Sequence, residues 1–331
     1  APRPRVHYNP RMSHTLLVTG AAGFIGSHLV DRLLPTGARV VGFDNLCDFY
    51  DPALKRDHLA DALRNQRFTL IEADLRDRSA VFRAFEEHRP DIVVHLAAMA
   101  GVRPSIENPA HYAAVNLDGT VHLLDTAVAH GAQRFVFASS SSVYGNNDKV
   151  PFAEDDNVDH PISPYAATKK AGELIGHTYW HLHRLPLVAL RFFTVFGPRQ
   201  RPDLAIGKFL RLVADDRPIP MFGDGSTSRD YTYIDDIIDG VVAAIDKATP
   251  ETGYRVYNLG GSSPVTLSEM IAAIGRVVGK EPKIEPKPMQ PGDVSRTWAD
   301  LTRSKAELGY DPQTPLEAGI ERQWAWMRGK K

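Results

Sequence analysis

The chain has 331 residues, of which 43% are hydrophobic and 24% charged, and its formal net charge is −1. That balance lacks the cationic excess a phosphate backbone needs, and no apolar run nears the roughly 20 residues that cross a bilayer; nucleic acid and membrane are therefore set aside as partners, and a two-lobed cytoplasmic protein is expected. The single cysteine, Cys47, allows neither an internal disulfide nor a cysteine-built zinc cage, and no motif around it marks a nucleophile.

Residues 1–11 are rich in Pro and Arg, show no periodicity and are expected to be a leader or tag outside the fold. Beyond them, short β-rich runs alternate with helical patterns. Residues 15–18 lead into a helix from Phe24, and 39–43 into a helix beyond Pro52. Runs at 68–71, 92–95 and 134–137 are each followed by a helical stretch, and 187–190 follows a long helix near 165–184. Such repeats require parallel strands with crossovers on both faces, a doubly wound α/β sheet of Rossmann type. After about residue 190, Gly197, Pro198, Pro218, Pro220, Gly223 and Gly225 break the pattern and mark a smaller second lobe. A helix at about 234–247 and a strand at 255–258 read as a return to the first sheet. The expected division is 12–190 plus about 234–260 for the main lobe, and about 191–233 plus 261–331 for a discontinuous C-terminal lobe.

Gly20, Gly23 and Gly26, with Phe24 and Ile25 between the last two, stand directly between the first strand and its helix. Glycines there permit a tight turn, close approach to a pyrophosphate and close helix packing, while the helix N-terminus offers free N–H groups to phosphate. Alone, such a triplet is an ordinary turn; its placement makes it a dinucleotide site. Asp44 ends the second strand, where a carboxylate accepts from the adenosine ribose hydroxyls and repels a 2′-phosphate. Asn45 and Leu46 follow it rather than Arg, so NAD is favoured over NADP. The plainer alternative for Asp44 is the start of a turn.

Tyr165 and Lys169, four apart at the start of the long helix, share one helical face. A neighbouring ammonium favours tyrosinate, which makes Tyr165 a usable base. A lone Y-x-x-x-K is more often a surface pair, but upstream, at the end of the fifth strand, Ser140, Ser141 and Ser142 form a hydroxyl-rich turn at the edge where ligands bind in such sheets.

Glycine turn, acidic strand end, serine turn and Tyr/Lys helix occur in the order found in extended short-chain dehydrogenase/reductases. From about residue 14 to about 328 the chain resembles the UDP-sugar 4-epimerases of that family, with RFFTVFGP at 191–198, GDGSTSRD at 223–230 and PGD at 291–293. The resemblance implies an NAD-binding main lobe and a UDP-sugar-binding second lobe, with Ser140 as catalytic hydroxyl, Tyr165 as base and Lys169 on the nicotinamide ribose. It places Asp44, Asn45, Asp74, Leu75, Leu96, Ala97 and Ala98 against the cofactor. It also puts Arg229 and Arg103 on the UDP diphosphate, Asp293 on the uridine ribose, and Pro220, Met221 and Phe222 near uracil. A homodimer is implied as well.

Within that group the likeness is greatest to UDP-glucuronate 4-epimerases, through DNLCDFYDPALK at 44–55, Arg201-Pro202-Asp203, and Thr194 where UDP-galactose 4-epimerases usually carry Asn. A substrate carboxylate needs charge-assisted donors, which Arg201 with Ser141 and Ser142 supplies. Gln200 replaces the usual Gly before that Arg, with Arg199 close by, so UDP-glucose stays open as the alternative substrate; Gln290 replaces the Arg that UDP-galactose 4-epimerases commonly carry before Pro291, which leaves the diphosphate fewer cationic partners. Related dehydratases and decarboxylases carry an acid in the turn after the serine; Ser141 and Ser142 occupy it here, which disfavours both activities. An NADPH-dependent reductase is opposed by Asp44, and a non-catalytic NAD-binding regulator by the intact Ser140, Tyr165 and Lys169.

Other conspicuous residues take plain readings. His177, His181 and His183 have no Glu or Cys partner at metal-binding spacing, and no metal is expected. Asp235 and Asp236 begin a helix, and Trp324, Trp326 and Met327 pack the C-terminal end.

Overall fold

The structure is a computed structural model that describes residues 14–289 and 294–329. The 1–11 segment and Asp293 lie outside the described residues. In chain order the strands are β1 (Thr15–Thr19), β2 (Arg39–Asp44), β3 (Phe68–Glu72), β4 (Ile92–His95), β5 (Arg134–Ser140), β6 (Leu187–Phe192), β7 (Thr194–Phe196), β8 (Ile219–Phe222), β9 (Ser228–Tyr233), β10 (Tyr254–Leu259), β11 (Pro264–Thr266) and β12 (Ile284–Lys287). Seven of them form one sheet in the order β10-β6-β5-β4-β1-β2-β3, every neighbouring pair parallel. The order reverses between β1 and β4, which opens a crevice at the carboxyl edge.

The central strands are apolar without interruption because both faces are covered. Leu16 and Val18 enter one core layer and Leu17 the other; Val136 and Phe137 divide in the same way, as do Val188 and Ala189. The expected return of the chain after the irregular stretch is seen: helix Ile234–Lys247 packs on β5 and β6, and β10 pairs with β6 from Tyr254 opposite Leu187.

Two small sheets stand beyond the carboxyl edge, β11-β9-β7 and β12-β8, backed by helices Ala205–Ala214, Leu267–Val278 and Leu316–Gly329. The long helix Pro164–His183 starts where Ser163 Oγ accepts from Ala166 N at 3.1 Å and Pro164 supplies a preset first turn. Between β4 and β5 lies a π-helical turn, Ala114–Asp118, that periodicity did not reveal.

Candidate active site

The first cleft, about 290 Å³, lies at the crevice. Gly20, Gly23, Phe24, Asp44, Asn45, Asp74, Leu75, Leu96, Ala97 and Ala98 all line it. Gly20 has φ +70°, and a Cβ there would sit 2.8 Å from Ala97 N, so both conformation and crowding demand glycine. A Cβ on Gly26 would fall 2.0 Å from Gly20 O; that glycine serves turn-to-helix packing, and Ile25 likewise packs against the core. Helix Phe24–Leu33 has no side-chain cap and no acid in its first turn, which leaves its N–H groups to an anion. Asp44 is buried and accepts from Ala22 N at 3.0 Å and Leu46 N at 2.9 Å; burial raises its carboxyl and these two bonds oppose the rise. Asp74 takes Arg76 on both oxygens, at 3.0 and 2.8 Å, and the Asn45 amide at 2.9 Å, and the Arg76 bonds hold it well below the usual carboxylate range.

These features fit a dinucleotide: a glycine turn that no side chain can enter, an uncapped helix N-terminus, and the Tyr50 hydroxyl, which lines the cleft, is buried and has no hydrogen-bond partner among the described residues.

Ser140, Tyr165 and Lys169 meet at the end of β5. Ser140 Oγ accepts from Ser142 N at 3.1 Å, and its hydroxyl lies 3.1 Å from Ser142 Oγ and beside the Tyr165 phenol. Burial raises the Tyr165 phenol, while the Ser140 bond and the positive charge of Arg201 pull it back. Lys169 is 4% exposed and donates to Ala138 O at 2.7 Å; burial lowers its ammonium to about 7. Arg201 adds its positive charge at Tyr165, and Lys169 faces the strand carbonyl.

A second cleft of about 150 Å³ is lined by Ser141, Ser142, Thr194 and Arg229. A third, about 390 Å³, brings Arg103, Thr194, Pro220, Phe222 and Arg229 together, with the Arg103 guanidinium 5.4 Å from the centre of the Phe222 ring. Of the three residues expected near uracil, Pro220 and Phe222 line this cleft while the Met221 side chain packs on the core, as alternation along β8 dictates. Arg201 stands on the wall of the first cleft, bound to Asp203 and stacked over Phe49, and does not line the serine-bearing cleft. Among the described residues, no group of three or more His, Cys, Asp or Glu is placed to hold a metal ion, and no helix is long and apolar enough to cross a membrane.

Residues 17–323 match the family described as GDP-mannose 4,6 dehydratase. The chain belongs to this family of extended short-chain dehydrogenases/reductases. It is 41% identical over 313 residues to the UDP-glucuronate 4-epimerase of Thermodesulfobacterium geofontis, covering 94% of this chain and 95% of that one. Among solved structures it resembles UDP-glucuronic acid 4-epimerase from Bacillus cereus in complex with UDP-glucuronic acid and NAD, with TM-score 0.90, 35% identity and coverage of 96% and 100%. It also resembles UDP-glucose 4-epimerase from Thermotoga maritima with UDP-glucose, with TM-score 0.86, 32% identity and coverage of 96% and 99%.

The same cleft is also lined by Phe49, Tyr50, Lys55 and Arg76, to which the sequence pattern gave no role at the cofactor. The available signal was the aromatic pair Phe49-Tyr50 just after the acidic strand end. Cys47 lines the same cleft, with Lys55 Nζ donating to its carbonyl at 2.6 Å.

Proposed function

We propose that this chain is an NAD-dependent UDP-glucuronate 4-epimerase, interconverting UDP-glucuronate and UDP-galacturonate through a 4-keto sugar. The observation that carries the reading is the packing of the Tyr165/Lys169 helix on the serine-bearing end of β5, where Lys169 Nζ donates to Ala138 O at 2.7 Å, with the NAD-fitting cleft on one side and the clefts bearing Ser141, Ser142, Thr194 and Arg229 on the other. NAD, when bound, accepts hydride from C4 of the sugar and returns it to the opposite face. Tyr165 takes and returns the C4 hydroxyl proton, and Ser140, by donating to the phenolate oxygen, favours the ionised form. Asp44 would receive the adenosine ribose, Asp74 and Leu75 the adenine, and Lys169 the nicotinamide ribose.

The main lobe, 12–190 plus about 234–260, binds NAD; the lobe of about 191–233 plus 261–331 binds UDP. Arg229 and Arg103 hold the diphosphate, Asp293 the uridine ribose, and Pro220 and Phe222 flank uracil. Since the keto sugar must turn over between the two transfers, binding energy belongs on UDP and away from the reacting ring. Arg201, reaching from the wall of the first cleft, and Ser141 and Ser142 from the second fix the C5 carboxylate, which restrains loss of carbon dioxide from the β-keto acid. Neither Ser141 nor Ser142 supplies the acid that elimination needs, which argues against the dehydratase activity in the family's name.

The enzyme works in the cytoplasm as a homodimer; Leu174 and Leu182, 57% and 71% exposed on the helix Pro164–His183, support the second point. One observation favours UDP-glucose as the alternative substrate: Arg201 is already paired with Asp203. Assaying UDP-glucuronate and UDP-glucose side by side decides between them, with higher kcat/KM for UDP-glucuronate expected.

A further inference from the structure

Tyr165, Lys169 and Glu173 stand four residues apart on one stripe of the helix Pro164–His183. Lys169 is tied to Ala138 O, and one turn further Glu173 Oε1 accepts from Ser139 Oγ at 2.6 Å. The same carboxylate receives Arg191 through Nε to Oε1 and Nη2 to Oε2, both 2.9 Å. Ser139 and Arg191 are register partners on β5 and β6, so both meet Glu173 from the same face of the sheet. Arg191 Nη1 also donates to the Tyr144 hydroxyl at 3.0 Å, which in turn donates to Asn258 Oδ1 at 2.7 Å. Ser139 immediately precedes Ser140, and Tyr144 closes the turn Ser141–Tyr144 that follows it. The ion pair therefore grips both ends of the segment that carries Ser140, Ser141 and Ser142.

Glu173 and Arg191 are each 2% exposed. Desolvating such a pair offsets most of its attraction, so it adds little net stability, whereas a buried two-pronged pair fixes geometry tightly. We propose that Glu173 and Arg191 are positioning residues that hold the Ser140 hydroxyl against the Tyr165 phenol, acting through Ser139 on one side and Tyr144 on the other. The proposal rests on the epimerase reading given above. A Ser140 hydroxyl held so that it can donate to the phenolate oxygen favours the ionised form, so a slackened turn leaves Tyr165 harder to ionise.

Ser139→Ala and Tyr144→Phe each cut one tie without changing charge. Each should lower kcat by about 10-fold while leaving KM for the nucleotide sugar nearly unchanged, as expected when a reacting group is misplaced rather than substrate binding lost. The acid limb of the kcat–pH profile should move to higher pH. The ultraviolet phenolate titration of Tyr165, with the matching Tyr165→Phe protein as blank, should move the same way. Unchanged kcat and titration in both variants would overturn the proposal, as would a loss of thermal stability with no shift on the pH axis. Should Tyr144→Phe fail to fold, Ser139→Ala decides alone. If the unmodified protein does not interconvert the two uronates, the functional reading fails; the titration needs no substrate and still tests the positioning.

Discussion

Arg201 and Asp203 form a two-pronged ion pair, Nε to Oδ1 at 3.0 Å and Nη2 to Oδ2 at 2.8 Å, with the guanidinium over the Phe49 ring. A substrate carboxylate that uses Arg201 must therefore compete with Asp203. Asp203 is 53% exposed, and such pairs contribute at most about 1 kcal/mol, so Asp203→Asn should improve KM for UDP-glucuronate by no more than about fivefold. Arg201→Met should cost about 2–4 kcal/mol in kcat/KM toward UDP-glucuronate and much less toward UDP-glucose. Equal losses on the two substrates would assign Arg201 to the cofactor cleft or the fold. Release of carbon dioxide and a UDP-pentose by the Met variant would support carboxylate anchoring as the restraint on decarboxylation.

Tyr165→Phe removes the base and leaves the clefts intact. Turnover should fall by at least ~10²-fold with NAD and UDP-sugar binding retained. Near-normal turnover would move the proton transfer to another group.

For the cofactor, Asp44→Ala should weaken NAD binding and relax discrimination against NADP, measured by titration of the cofactor-stripped protein. Asp44 also accepts from Ala22 N and Leu46 N, so part of the loss comes from a looser glycine turn. Unchanged NAD affinity would place the ribose contact elsewhere.

How far the sequence reached differs between fold and site. The parallel sheet was legible because strands buried on both faces have no polar alternation, as at Leu16, Leu17 and Val18, and because Gly20 and Asp44 punctuate the first βαβ unit. The candidate site was legible as a set of residue types, and the structure brings Ser140 to Tyr165 and Arg229 to Thr194. What spacing could not convey was direction. Lys169 turns to Ala138 O because the buried ammonium needs an acceptor, and Met221 turns inward because strands alternate. Arg201 is captured by a carboxylate two residues away and stacks on Phe49, which is distant in sequence. The π-helical turn Ala114–Asp118, which holds Asn116 against Met99 and Thr168, has no periodic signature.

Asp230 gives a stability test away from the reaction. Its buried carboxylate accepts from Gly261 N at 2.7 Å, Ser262 N at 3.0 Å and Ala299 N at 2.9 Å, and so ties β9 to two loops of the second lobe. Asp230→Asn turns an amide NH₂ toward backbone donors and should cost about 2–4 kcal/mol in urea unfolding at pH 5. Burial raises the carboxyl from 3.8 to about 6. A raised acid contributes stability that is fully present below pH about 4 and lost as pH rises through about 6, so the variant's deficit should be smaller at pH 7.5 than at pH 5. A deficit that grows with pH would mean that the backbone bonds outweigh burial.

The most direct test of the central claim is to follow UDP-glucuronate carrying deuterium at C4. Oxidation and re-reduction of one carbon within a closed site should yield UDP-galacturonate with the deuterium still at C4 and none lost to solvent. Washout of the label, label retained in unconverted substrate alone, or a UDP-pentose with carbon dioxide as the main product would contradict the account.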